Sequence, residues 1–167
     1  MFMKLTIQLS LVMMLSLFGI IWAGAAFHPF PKLMRFMPDD IEEAVKDHKP
    51  PFPAAPVFGK IIITVLALIF SGAYVYGGYD SIDNNFSFLK TFGRFIIMLY
   101  SVKVFDIICL DFLLITKSHF FQHYFPETEG CAGYNNFGFN RKEQLGQIIR
   151  VPFIALASSG ICMLFLY

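Results

Sequence analysis

Four stretches of this chain stay apolar for about the 20 residues that a bilayer-crossing helix needs. They cover residues 5–26, 61–79, 95–116 and 148–167. Polar segments of very different length separate them. The pattern predicts an all-α membrane protein of one domain, 1–167, with four transmembrane helices in an up-and-down bundle. Pro152, near the start of the fourth stretch, suits a first helical turn, where a missing N–H costs little. The first stretch has a second reading. Lys4, an apolar run and then WAGAA also describe a secretory leader with an A-x-A-like cleavage site. The run is long for a leader's apolar core, so retention as a span is the expectation.

The first loop contains a short helical pattern over 38–48. Pro38 and Asp39 open it, acidic residues fill its first turn, and Lys46 and His48 come late. Ile41, Ala44, Val45 and His48 share a face, which predicts a short interfacial helix lying on the membrane. Pro50, Pro51, Pro53 and Pro56 then lead extended chain into the second span. Ala73/Gly77 and Ala155/Ser159 are small residues four apart, a spacing that lets helices approach closely in lipid. It serves internal packing or self-association equally well.

Composition agrees with this picture. The chain is 56% hydrophobic and 15% charged, against about 25% charged for an ordinary soluble domain. Net charge is +1, with no basic stripe, so nucleic acid is not an expected partner. The bilayer is one, and another membrane protein or a second copy remains open. Cys109, Cys131 and Cys162 form no paired motif and read as small apolar residues. Nine Lys and Arg flank the first and third loops, against three on the other side. The positive-inside rule then puts both large loops in the cytoplasm, most simply at a bacterial plasma (inner) membrane.

The third span breaks the apolar rule. RFIIMLYSVKVFDIICLDFLLITK carries Lys103, Asp106 and Asp111. At 100° per residue, Lys103 lies about 60° from Asp106, and Asp111 about 140°. The charges therefore share one side. Lys103 and Asp106, one turn apart, are spaced to pair. Asp111 has no partner at helical spacing, and Arg150 at the opening of the fourth span is its candidate counter-ion. Charges inside a membrane segment mark ion, proton or ligand sites, or clasp helices together.

The loop that follows is aromatic and glycine-containing. His119 and His123 are four apart, and Glu127 and Glu129 follow, a donor set suited to zinc or iron. Pro126 interrupts the helix before the glutamates and no HExxH motif is present, so interfacial anchoring is the simpler role and no cofactor is the first expectation. Asp106, Asp111, Pro126, Thr128, Glu129, Gly130, Tyr134 and Phe139 give the region a resemblance to uncharacterised small bacterial multi-span membrane proteins. These pair an intramembrane Asp with a Pro-x-Thr-Glu-Gly loop. Glu127 stands where those relatives tend to have Gly. The resemblance covers about residues 100 to 165 and implies a membrane location and helical spans.

Three functions follow, in order. The first is a small membrane protein that binds a partner or ligand through the 117–147 loop and the charged face of span three. The second is a small transporter or proton-handling protein using Lys103, Asp106 and Asp111. The third is a membrane-embedded metal-dependent enzyme acting on a lipid.

Overall fold

The computed structural model describes residues 2–28 and 37–165. Lys32 and Arg35 of the charge count, and the last two residues of the fourth span, lie outside the described residues. Among the described residues there are six α-helices: α1 (Phe2–Phe27), α2 (Asp39–Ala44), α3 (Ala55–Asp83), α4 (Phe88–Phe105), α5 (Phe120–Tyr124) and α6 (Arg141–Leu164). A π-wound segment, Asp106–Lys117, continues directly from α4, and two 3-10 turns, Pro126–Thr128 and Ala132–Asn135, follow α5. No strand occurs among the described residues.

Among the described residues, three helices, α1, α3 and α6, are long and apolar enough to cross a membrane. The third predicted span does not join them. α4 is 18 residues long and carries Lys90, Arg94 and Lys103. Hydroxyl side chains in the apolar helices donate to carbonyls one turn back. Ser10 bonds Thr6 O at 2.9 Å, Ser16 bonds Val12 O at 2.8 Å, and Ser159 bonds Ala155 O at 2.7 Å. Each hydroxyl is thereby satisfied inside its own helix, which a dry environment requires.

The chain divides into two compact units. One comprises the described parts of 1–16, 68–105 and 141–167. Here Gly77 sits where a Cβ would come 3.0 Å from Met98 Sδ and 3.5 Å from Leu9 Cδ1. Ala155 and Ser159 are fully buried, and Ala155 packs in a cluster with Phe95 and Cys162. Both small-residue pairs thus serve packing within the chain. Pro152 is not in a first turn, because α6 begins at Arg141. It lies inside the helix and cannot donate to the carbonyl four residues back. That carbonyl, Ile148 O, accepts the Tyr100 hydroxyl at 3.2 Å instead.

The second unit comprises 17–67 and 106–140. Its core joins Ala25 of α1, Ile41 and Val45 around α2, and Phe121, Phe125 and Tyr134 from the third loop. Ile41 and Phe125 are fully buried. The apolar face of α2 is therefore filled by protein aromatics. Three large loop aromatics at about 1.5–3 kcal/mol each for full burial are enough to hold so short a helix.

Asp40 locks this arrangement. Its Oδ2 accepts the Gly133 amide at 2.8 Å, and its Oδ1 accepts the Ile41 amide at 3.0 Å. Gly133 is required by the closeness of that approach: a Cβ there would collide with Asp40 Oδ1 and come within 2.6 Å of Pro38 Cβ. Gly133→Ala should lower stability by about 1–3 kcal/mol, the usual cost of overpacking, read as a drop in Tm in detergent. Gly160→Ala, where a Cβ meets nothing within 4 Å, should be neutral or slightly stabilising. Equal Tm values for the two variants would contradict the lock.

Candidate functional site

The most unusual cluster of side chains in the second unit centres on His28. α1 ends at Phe27, and the next residue precedes a proline in the sequence, which disfavours further α-helix. His28 takes a left-handed φ of +43° and is 8% exposed. A non-glycine residue held there costs on the order of 1–3 kcal/mol unless its surroundings hold it. Those surroundings are aromatic. The His28 ring is 5.3 Å from the His48 ring and 5.5 Å from Phe125, and His48 is 4.7 Å from Phe125, all edge-on. On its other side, His48 Nδ1 meets Glu127 Oε1 at 2.5 Å.

The electrostatics follow from this packing. Burial, reinforced by the neighbouring His48 and opposed by Glu127, holds the His28 pKa below its ordinary 6.5. His28 is therefore neutral at neutral pH. The supporting turn is well bonded. Thr128 Oγ1 donates to Phe125 O at 2.7 Å, and its hydroxyl is 2.8 Å from that of Tyr134. Burial raises the Tyr134 pKa above its ordinary value, so this phenol keeps its proton. Tyr124 adds a tie to α1, its hydroxyl accepting from Trp22 Nε1 at 3.1 Å.

The residues expected from sequence distribute differently. Glu127 joins His48, while His119, His123 and Glu129 are exposed. Among the described residues, no three His, Cys, Asp or Glu side chains gather as a metal set. The proposed set of His119, His123, Glu127 and Glu129 is therefore not assembled, because Glu127 belongs to the His48 pair. Asp111 Oδ2 accepts from Asn140 Nδ2 at 3.3 Å, a partner the helical spacing did not suggest. Arg150 is exposed on α6. Lys103 is 7% exposed and donates to Gln147 Oε1 at 2.5 Å. It and Tyr100 thus both reach α6 beside the Pro152 gap.

The π winding of Asp106–Lys117 changes the geometry of the acidic residues. An i→i+5 bonding pattern turns the chain less per residue than α-helical winding, so Asp106 and Asp111 come closer in angle on one side of the segment. The 140° separation obtained from α-helical winding does not apply. Thr116 Oγ1 bonding Asp111 O at 3.0 Å and the Ser118 amide bonding Leu113 O at 2.8 Å both carry the five-residue step.

A second buried charge, overlooked in the sequence, lies in the first unit. Arg94 is fully buried. Its Nη1 donates to Asp80 Oδ2 at 2.7 Å, Gly77 O at 2.8 Å and Ser81 Oγ at 3.1 Å. Its Cζ lies 5.0 Å from the ring centres of both Phe2 and Phe86, where π faces receive the cation. The signal was present: Asp80 and Arg94, of opposite charge, lie 14 residues apart near the facing ends of α3 and α4.

Together these features define an all-α protein with membrane-length helices and buried, paired charges. Comparison with family models, curated proteins and solved structures returns no match.

Removing one member of the Arg94–Asp80 pair leaves the other buried and uncompensated. Arg94→Met should cost about 3–5 kcal/mol, and the Arg94→Met/Asp80→Asn double variant should recover much of that. Chemical denaturation in micelles measures both. A double variant no better than the single would show that the ionic pairing is not what Arg94 contributes.

Proposed function

We propose that the chain is a small four-span membrane protein of a bacterial plasma membrane that responds to protons through its second unit. The carrying observation is the buried, left-handed His28 set against His48, which is itself held by Glu127. Protonation of His28 places a cation beside His48 and against the Phe125 ring, which is also the centre of the loop core. The change therefore loosens α2, α5 and the two 3-10 turns together. The two aspartates on one side of the π-wound segment, Asp106 and Asp111, add titratable groups to the same unit.

This proton-handling role takes precedence over simple docking through the 117–147 loop, because that loop spends Phe121, Phe125 and Tyr134 on its own core. The fourth span in this reading is α4 with its π-wound continuation, whose charges are shielded by pairing. The two large loops face the cytoplasm by the count of flanking Lys and Arg. Partner recognition then follows from the proton-dependent state of the loops.

The sign of the pH effect is fixed by the direction of the shift. His28 binds a proton less readily in the folded state than unfolded. Its neutral form contributes full stability above about pH 6.5, the ordinary His value. That stability declines as pH falls from there through the lowered folded pKa. Protection of residues 120–135 in detergent, from hydrogen-exchange rates corrected for the intrinsic pH dependence of amide exchange, should fall as pH drops from 7.5 to 5, and His28→Gln should flatten the dependence. An unchanged pH profile in His28→Gln would refute the role of His28.

A further inference from the structure

The first unit contains an open groove of about 440 Å³ between α3, α4 and α6. Its walls include Tyr74, Gly78, Tyr79, Phe95, Ser158 and Cys162. We propose that this groove binds a neutral, membrane-dissolved molecule made of a flat carbonyl-bearing ring on a hydrocarbon tail, the quinone class.

Four observations support that chemistry. First, α3 and α6 are both membrane-length apolar helices, so anything entering the groove arrives from the hydrocarbon phase. Second, the size is right. Small-molecule sites occupy roughly 300–1,000 Å³ and combine apolar and aromatic walls with a few placed polar groups. From Tyr74 to Ile82 the groove follows roughly 12 Å of α3. That volume over that length is wider than a single extended chain needs and accommodates a ring. Third, the ring faces are present: Tyr74 and Phe95 lie 4.8 Å apart at a 40° tilt, with Tyr79 beyond. Fourth, the placed polar group is a hydroxyl pair, Tyr74 Oη and Ser158 Oγ, 2.6 Å apart.

The pair decides the charge of the ligand. In a hydroxyl pair one O–H donates and the other retains its proton for a second acceptor. Tyr74 stands six residues, roughly 9 Å, from Asp80, the charged residue of α3 nearest to it in sequence. A charged head at that depth would be costly, and no Lys or Arg lines the groove. A neutral carbonyl oxygen accepts the hydroxyl without that cost. Gly78 sets the depth of the floor, since a Cβ there would meet Cys162 Sγ at 3.2 Å and Phe95 Cζ at 3.4 Å.

The test uses the full chain in phosphatidylcholine nanodiscs. The probe is trimethyl-1,4-benzoquinone bearing a ten-carbon tail with a photoreactive diazirine. The expected result is saturable labelling confined to residues 74–82 and 158–165, displaced by the same quinone without the diazirine. Tyr74→Phe, which keeps the ring and the packing, should weaken binding about tenfold, as loss of one hydrogen bond implies. Gly78→Leu should abolish it. Tyr74→Phe with unaltered affinity would overturn the carbonyl contact. Non-saturable labelling spread over every apolar helix, matching that of a diazirine phospholipid, would show ordinary lipid contact and overturn the site. Cross-links from these residues to a second copy, unaffected by quinone, would identify the groove as a helix-packing surface instead.

Discussion

Polar groups placed among apolar helices must find partners within the protein, and this constraint organises the first unit. Water is not there to compensate an orphaned carbonyl or cation, and each such orphan costs several kcal/mol. The responses are local and specific. Serines turn their hydroxyls back on their own helices. Pro152 frees the Ile148 carbonyl, and Tyr100 supplies the missing donor. Lys103 takes the side-chain oxygen of Gln147, adjacent to that carbonyl. Arg94 collects three acceptors from α3 on a single nitrogen and presents its remaining surface to two phenylalanine rings. A proline, a lysine and an arginine that look disruptive in a hydropathy profile thereby become the residues that register α4 against α3 and α6.

The second unit follows a different rule. Its elements are too short to be stable alone: α2 has six residues and α5 has five, well below the roughly 12–15 at which an isolated helix is even marginal. Tertiary burial must hold them, and the loop aromatics supply it. Asp40 then fixes the register by capturing the Gly133 amide, which brings Phe125 and Glu127 to His48. The strained His28 is tolerated because its ring is wedged between His48 and Phe125. Core and titratable cluster share one residue, Phe125, so neither can be altered without the other.

How far the sequence reached depended on whether local spacing carried the information. Hydropathy was sufficient for an all-helical chain with membrane-length helices at α1, α3 and α6. The start of α2 was legible from Pro38 and the acidic first turn. The partners were not legible. Asp111 with Asn140, Lys103 with Gln147 and Arg94 with Asp80 are separated by 29, 44 and 14 residues, and nothing in a helical wheel links them. The π winding was invisible too, since a wheel presumes its own period. Applying 100° per residue to Asp106–Lys117 overstated the angle between its two aspartates, since an i→i+5 pattern winds less per residue.

The histidines show why type and spacing alone do not reveal which side chains meet. His119 and His123 have the i, i+4 spacing of a metal pair but are exposed. His28 and His48 have no motif spacing, yet their rings lie 5.3 Å apart. What distinguishes the second pair is desolvation. An exposed imidazole has water around it to take up the charge of a proton, so protonating it changes little else. A buried one beside another imidazole converts the same proton into a packing conflict, because the cation must be accommodated where no water reaches. Under the proposed function, proton sensitivity is a property of the Phe125-centred core, and the histidine that matters is the one the core encloses.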